Sequence, residues 1–364
     1  MILRFWADTP GVSAQWLIAI VPVAVHTACG APGGPPPGRS HQRGQAPVSI
    51  VTDVTAPPDP DVRILALARL QSGVLTVAQL RALGLGADAV RTRVRRGQYR
   101  RLWRGVIWTE AELHPEPPWR TRATGALLLH GPAAKLGLQS AATALVIAGA
   151  DARDDDIHVV LPRGNERHQV EGIRLHTWPV PPERTSVVDG LRTTDVVQTL
   201  ADLVPRLPRH QAVSVLDSAL NRGLVSDDDL VLAEGLAAGR PGCEVARPWW
   251  QLADARSQSV LKTWTRLDCI DGGVPPDELQ HPVRDRSGVL LGYGDLAWLR
   301  GQARPLIGEA DGAAVHGAVP ALYSDRLRAN NFTAAGVRII RFTWRDARRP
   351  GACAAMVRAA LVNR

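Results

Sequence analysis

The sequence predicts a multidomain chain of the α+β and α/β classes, with a small helical domain, a mixed middle domain and a C-terminal α/β domain. Its 364 residues are enough for two or three domains. Short helical patterns joined by glycine turns follow Asp61, and short apolar runs that end in acids occupy residues 290–344, as is typical of strands. The expected domains are 59–110, 119–245 and 250–364, after an N-terminal extension at 1–58.

Composition favours a globular protein with a polyanionic partner. Hydrophobic residues make up 45% of the chain, and 43 Lys and Arg against 35 Asp and Glu give a net charge of +8. Only Lys135 and Lys262 are lysines, and arginine suits phosphate and guanine because its planar fork donates two bonds at once. A GC-rich genome, whose codons favour arginine, is the alternative source of this bias. The four cysteines form no Cys-x-x-Cys pair, so we expect buried thiols in a reducing cytoplasm rather than a zinc site or disulfides.

The N-terminal extension differs from the rest of the chain. Its apolar run, Trp16–Val25, is too short to span a bilayer, so no stable membrane association is expected. A signal peptide is the alternative, but the run is preceded by a single cationic residue, Arg4. Pro- and Gly-rich sequence follows, which predicts a disordered extension or a wrongly assigned start, with true initiation near Val51.

The domain at 59–110 has the pattern of a winged helix-turn-helix. Three short helices are expected, the second capped by Thr76 and closed by Gly84, and the third over 87–96. An alternating hairpin at 98–108 would form the wing.

Arginines are concentrated on the third helix and the wing. If Ala89, Val90 and Val94 face inward, most of these arginines must point outward, where they can contact DNA phosphates or base edges. A solvated charged face is the alternative. The expected DNA-binding set is Arg91, Arg93, Arg95, Arg96, Arg100, Arg101 and Arg104.

The middle domain is predicted to contain two strands flanked by helices. No catalytic constellation is visible in it. His158 and His176 could approach each other across paired strands, but strand histidines are ordinarily surface residues, which disfavours a shared metal. The expected helices are 121–129, 139–147, 195–203, 210–221 and 227–236, and the expected strands are 156–161 and 172–178.

The C-terminal domain carries acids at the ends of its predicted strands. Glu309 and Asp311 share a face of one strand because side chains alternate, and Asp295 joins them if its strand lies alongside. Three converging carboxylates would suit Mg²⁺, which makes metal-assisted phosphodiester hydrolysis the chemistry they suggest. Solvated acids at strand ends are the alternative interpretation.

The winged-helix segment resembles the AbiEi family of antitoxins. The residues that carry the resemblance are Ser72-Gly-Val-Leu-Thr76, Gly84, the arginine-rich helix and Arg101-Leu-Trp-Arg-Gly105-Val. The resemblance extends into the middle domain, where an Arg of the related proteins is Gln198 here. It implies a transcriptional autoregulator of a type IV toxin–antitoxin pair, whose toxin is a nucleotidyltransferase.

Residues 250–364 resemble the very-short-patch-repair-like branch of the metal-dependent PD-(D/E)XK nuclease superfamily, a restriction-endonuclease-like fold. The match rests on these positions: Asp295, Glu309, Asp311, Gly312, His316, Asp325, Arg328, Gly336 and Arg341-Phe342. The resemblance implies Mg²⁺ held by Asp295, Glu309 and Asp311, with His316 as general base. Arg328 would neutralise phosphate, or form a salt bridge to Asp325.

This chain departs from the nuclease pattern in its opening helix. Related sequences carry Ser-Glu-Ser-x-Leu-Glu, whereas Gln258 and Lys262 replace the two acids here. The superfamily's Lys falls at Asp311, and one imidazole, His316, stands where a His pair is usual.

Two functions are therefore expected. The first is a cytoplasmic protein that binds double-stranded DNA and hydrolyses it with Mg²⁺. The alternative is a catalytically inactive, antitoxin-like repressor whose nuclease-like domain only binds DNA or a nucleotidyltransferase toxin, with Gln258 and Lys262 as marks of lost catalysis.

Overall fold

Three separate β-sheets, each packed against helices, form the body of this multidomain α+β chain. The computed structural model describes residues 59–150, 155–164, 170–299, 301, 304–310 and 331–362. All of them fall within one compact unit, Ala56–Arg364.

The first sheet belongs to a winged helix. Its three strands have the order β1-β3-β2, and both pairs are antiparallel. In chain order the elements are α1 (Pro60–Leu70), β1 (Val74–Thr76), α2 (Val77–Ala82), α3 (Ala87–Arg95), β2 (Arg100–Trp103) and β3 (Val106–Trp108).

Local sequence explains this domain well. Thr76 and Gln79 form a capping box that starts α2, and the apolar side chains Leu80, Leu83 and Val90 pack into one buried cluster. The three predicted helices and the hairpin are confirmed. Strand β1 was not predicted, because three residues between two helices show no alternation of their own.

The second sheet has five strands in the order β6-β5-β4-β8-β7, with parallel and antiparallel pairs. The predicted helices and both predicted strands are present, with shifts of up to three residues at their ends. Strands β4, β7 and β8 are additional. The elements are α4 (Trp119–His130), β4 (Lys135–Leu136), α5 (Leu138–Ala144), β5 (Ile157–Leu161), β6 (Ile173–Thr177), β7 (Thr185–Val188) and β8 (Leu191–Thr194).

Helices complete the middle part of the chain. They are α6 (Val196–Leu203), α7 (Arg209–Asn221), α8 (Asp227–Ala237) and α9 (Cys243–Trp250). Their buried cluster includes Ala246 and Trp250, so α9 packs with the helices that precede it. Helix α9, which the sequence did not predict, lies where the middle and C-terminal domains were expected to meet.

The third sheet lies in the C-terminal part and has four strands in the order β12-β11-β10-β9. Pairs β9–β10 and β10–β11 are antiparallel, and β11–β12 is parallel. The elements are α10 (Val260–Asp271), β9 (Glu278–Arg284), β10 (Leu290–Trp298), β11 (Leu306–Ala310), β12 (Arg338–Phe342), α11 (Trp344–Ala347) and α12 (Ala352–Val362).

Three of these four strands were predicted, and edge strand β9 was not. Only Leu279 and Val283 of β9 are buried, and Pro282 interrupts the pattern, which is tolerated at the edge of a sheet. The sheet places β10 alongside β11, which is the arrangement that the acid cluster required.

Candidate functional site

Helix α3 is positioned to present a polar face to a ligand. Val90 is buried and Val94 is half-buried against the core of the winged helix, which fixes the rotation of the helix. Ala89, expected to face inward, is exposed instead. It lies one residue before Val90, about 100° around the helix, and therefore falls on the outer face.

Three of the seven predicted DNA-binding arginines have acidic partners. Arg91 pairs with Asp88 on the same helix. Arg93 Nη2 lies 2.8 Å and 3.0 Å from the two carboxylate oxygens of Asp61 on α1, and its guanidinium stacks over the ring of Tyr99 at 5.5 Å.

The third of them, Arg100, reaches beyond the winged helix. Its Nη2 lies 3.1 Å from Glu116 Oε2, and its Nη1 donates to the carbonyl oxygen of Pro115 at 3.0 Å. These pairs hold α3 and the wing in place, so their arginines have partners before any DNA binds.

The other four arginines are free of such partners. Arg95, Arg96, Arg101 and Arg104 are exposed, and none has a carboxylate within ion-pair distance among the described residues. Arg104 sits at the tip of the wing, where Gly105 has a φ of +86° and closes a tight turn. We refer to Arg95, Arg96, Arg101 and Arg104 as the free arginine surface.

Charge is concentrated in this domain. Residues 59–110 contain ten arginines against four acids, Asp59, Asp61, Asp88 and Glu110, so most of the chain's excess of +8 falls here. A local cationic field of this kind attracts nucleic acid before specific contacts form.

The winged helix is fastened to the middle part of the chain. Thr121 Oγ1, on α4, donates to the carbonyl oxygen of Ser72 at 2.9 Å, and Trp103 Nε1 donates to the carbonyl oxygen of Glu171 at 2.9 Å. Trp103 therefore joins β2 to the loop before β6, and DNA bound by the wing would be held by the whole unit.

The C-terminal sheet brings Asp295 and Glu309 together. The antiparallel register pairs Leu296 with Gly308, which sets Asp295 on β10 opposite Glu309 on β11. Both residues are buried, at 8% and 5% exposure. On its other side Glu309 is opposite Arg341 of β12. The sequence-based expectation that β10 lies alongside β11 is confirmed, and we refer to Asp295 and Glu309 as the acid pair.

Both oxygens of Asp295 already accept hydrogen bonds from this chain. Lys262 Nζ lies 2.7 Å from Oδ1, which also accepts from Gln280 Nε2 at 3.2 Å, and the backbone N–H of Ala310 donates to Oδ2 at 3.0 Å. A divalent cation on Asp295 would have to displace these donors and lie beside an ammonium group. Among the described residues, Asp295 therefore already has an ammonium partner where the predicted Mg²⁺ would bind.

The remaining predicted catalytic residues lie outside the described part of the chain. These are Asp311 and His316, together with the predicted phosphate ligand Arg328. Within the described residues, no group of three or more His, Cys, Asp or Glu side chains is placed to hold a metal ion. Sequence reasoning noted Lys262 only as a missing acid. It did not connect Lys262, Gln280 or Arg341 with the acid pair, because each comes from a different element.

The two histidines of the middle sheet contact each other. His158 Nδ1 lies 3.0 Å from His176 Nε2, with the rings stacked at 5.2 Å between centroids. Burial, together with nearby His158, Arg206 and Arg174, lowers the pKa of His176 to about 4. The expected approach of the two histidines across paired strands is confirmed, and the interpretation as a surface residue is wrong for His158, which is buried.

Gln198 shares a buried carboxylate with an arginine from elsewhere in the chain. Its amide Nε2 donates to Asp202 Oδ1 at 2.9 Å inside α6, and Asp202 is fully buried. Arg240, which follows α8, forms an ion pair with the same carboxylate. Gln198 and Arg240 therefore share the buried carboxylate of Asp202.

Two of the three described cysteines match the expectation of buried thiols. Cys269 and Cys353 are buried, and burial raises the pKa of both, to about 12 for Cys353. Cys243 is partly exposed. In the described part of the chain, no helix has the length and apolar character needed to cross a bilayer.

Comparison with known proteins bears on the winged helix. Residues 62–106 match the family described as transcriptional regulator, AbiEi antitoxin, which confirms the resemblance of this segment. The chain is also similar to two uncharacterized proteins of Mycobacterium tuberculosis, MT2308 of strain CDC 1551 and Rv2248 of strain H37Rv. Each is 27% identical over 265 residues, which cover 72% of this chain and 93% of the relative.

A solved structure extends the comparison to coordinates. The crystal structure of the RV2827C protein from Mycobacterium tuberculosis aligns with a TM-score of 0.36 and 18% identity, over 63% of this chain and 85% of that chain. The family match at residues 62–106 supports the antitoxin-like interpretation of that segment.

Proposed function

We propose that this chain is a DNA-binding transcriptional regulator of the antitoxin type, which binds double-stranded DNA through its winged helix. One observation carries the proposal: the residues that match the AbiEi regulator family also form the free arginine surface. An arginine without an acidic partner can bind a phosphate directly, because an arginine in an ion pair must first break that pair.

The arrangement suits the major groove. Helix α3 would enter the groove with its exposed face, while Arg101 and Arg104 on the wing contact the adjacent backbone. Arg95 and Arg96 lie at the C-terminal end of α3, where phosphate contacts would set its depth in the groove. Phosphate contacts orient the protein without reading sequence, so the four free arginines supply affinity and register.

We infer a toxin as the second partner. The matched family is described as an antitoxin, and the sequence resemblance implies a nucleotidyltransferase toxin. A nucleotidyltransferase gene beside this one would support that partner, and stable co-purification of the two products would test it directly. We propose that the protein acts in the cytoplasm, where its DNA target would lie.

Binding of the full chain to DNA tests the main proposal. Fluorescence anisotropy would compare a duplex from the region upstream of the chain's own gene with a scrambled duplex, over a series of salt concentrations. The upstream duplex should bind more tightly. Affinity should fall linearly with salt on a logarithmic plot, with a slope of about 0.9 for each phosphate contact.

A double variant locates the binding surface. Arg96→Ala with Arg101→Ala should weaken binding to both duplexes and lower the slope by up to about 2. Arg69→Ala is the matched control, because Arg69 is also exposed in the winged helix but lies on α1. Absence of binding at low salt, or equal binding by the double variant and wild type, would overturn the proposal.

Mg²⁺-dependent DNA cleavage is the second candidate function, and the position of the acid pair on neighbouring strands is the observation that favours it. We do not adopt it, because Lys262 already bonds to Asp295. Incubation of the purified protein with supercoiled and mismatched DNA, in Mg²⁺ or in EDTA, would decide whether it cuts DNA. Cutting that requires both Mg²⁺ and Glu309, as judged by a Glu309→Ala variant, would establish the nuclease instead.

A further inference from the structure

The acid pair needs a positive charge close by. Two carboxyl groups opposite each other on adjacent strands repel when both are ionised, and burial of both residues strengthens that repulsion. Proteins resolve such a conflict with a proton, a metal ion or a cationic side chain. The structure shows the third solution.

Lys262 is held in place for this contact. It is the third residue of α10, whose N-cap is Ser259, and its Nζ donates to Gln258 Oε1 at 2.9 Å as well as to Asp295 Oδ1 at 2.7 Å. The first turn of a helix disfavours a cation, because the backbone N–H groups there carry partial positive charge. The Lys262 side chain is only 17% exposed, so its charge is also partly removed from water. The contact with Asp295 offsets both the burial of the charge and its unfavourable position at the start of the helix.

The contact is also specific to this pair of positions. Lys262 is one of only two lysines in the chain, and Gln258, its other partner, lies four residues earlier, just before the N-cap Ser259. Arg341, opposite Glu309 on β12, brings a second cationic residue to the other edge of the acid pair. The ion pair of Lys262 with Asp295 and the register of Glu309 with Arg341 therefore place two cationic residues next to two acidic ones.

We propose that the ammonium group of Lys262 is the resident cation of the acid pair, and that it occupies the place a divalent metal ion would otherwise take. The C-terminal domain of the natural chain is then closed to divalent cations at Asp295. Removal of the ammonium group opens a cation site made of Asp295 and Glu309. This inference is independent of whether the winged helix binds DNA.

Mn²⁺ titration of purified full-length protein tests the proposal. Isothermal titration calorimetry should detect no Asp295-dependent Mn²⁺ binding to the natural chain. Lys262→Glu adds a third carboxylate in place of the ammonium, and this variant should bind one Mn²⁺ per chain. The double variant Lys262→Glu with Asp295→Asn should lose that binding.

A second variant covers the case in which three acids prevent folding. Lys262→Met removes the charge and keeps the aliphatic length, so its melting temperature should be below that of wild type and should rise when Mn²⁺ is added. Lys135→Met is the matched control, since Lys135 is the chain's other lysine and lies on β4, in a different sheet. Its melting temperature should not respond to Mn²⁺.

Two results would overturn the proposal. One is Mn²⁺ binding by the natural chain that disappears in Asp295→Asn. The other is the failure of both Lys262 variants, each folded by circular dichroism, to respond to Mn²⁺.

Discussion

Arg266 Nη2 lies 2.9 Å from Asp217 Oδ2, and both side chains are almost completely buried. Asp217 belongs to α7 and Arg266 to α10, so the ion pair joins the middle helices to the C-terminal part. Thr263 Oγ1 donates to the same carboxylate at 2.7 Å, and the backbone N–H of Asp254 donates to its other oxygen at 2.8 Å. These contacts stabilise the Asp217 carboxylate, but burial still raises its pKa above the ordinary value.

Asp217→Ala should be strongly destabilising. It leaves the buried guanidinium of Arg266 without its partner, at a cost of about 3–5 kcal/mol in the free energy of unfolding. Asp271→Ala is the matched control, because Arg209 and Asp271 join the same two helices at 2.6 Å but Asp271 is half-exposed. Asp271→Ala should lower the free energy of unfolding by only about 0–1 kcal/mol. Urea unfolding gives both values, and equal losses would contradict the argument.

Arg93→Ala and Arg96→Ala should separate stability from DNA binding. Arg93 is clamped between Asp61 and Tyr99, so its removal should lower the free energy of unfolding by about 1 kcal/mol. Arg96 is exposed and has no carboxylate partner among the described residues, so its removal should weaken DNA binding at unchanged stability. Thermal unfolding and fluorescence anisotropy on both variants check this. The reverse pattern would show that the arginines had been assigned to the wrong roles.

The His176 contact should make stability pH-dependent. Its pKa is lowered to about 4 in the folded chain, below the ordinary value of 6.5, so the unfolded chain binds more protons between these values. Stability should therefore decrease as pH falls from 6.5 to 4, by at most about 3 kcal/mol from this residue. His176→Gln should remove that part of the decrease, as measured by urea unfolding at several pH values. His114→Gln, at an exposed histidine, should leave it unchanged.

Gly242→Ala should disrupt the start of α9. Gly242 has a φ of +86°, and a Cβ there would overlap the carbonyl oxygen of Pro205. Gly239 has a similar φ of +75° but faces open space, so Gly239→Ala should cost only the backbone strain, about 1–2 kcal/mol. Gly242→Ala should lower the free energy of unfolding by about 1–3 kcal/mol more, because the backbone at Pro205 must move. Thermal unfolding compares the two, and equal melting temperatures would contradict the predicted clash.

Much of the architecture follows from local sequence. The spacing of apolar residues along α1 to α3 predicts a winged helix without any tertiary information, as do the capping box at Thr76 and the glycine turns. The family match covers the same residues. The alternation around Asp295 and Glu309 likewise predicts two strands with acids on one face. The short strands β1, β4, β7 and β8 were missed, because runs of two to four residues show no clear alternation of their own.

The sequence by itself determined where the charges and the longer helices and strands of the first two domains occur along the chain. Only the tertiary structure decided which charges are neutralised, because the partners are remote in sequence: Asp61 for Arg93, and Lys262 for Asp295. Local periodicity depends on residues within one or two turns, whereas the electrostatic state of a side chain depends on whatever the fold places within a few ångströms. That difference places Lys262 beside Asp295 of the acid pair, and leaves four of the seven predicted arginines without a carboxylate partner among the described residues.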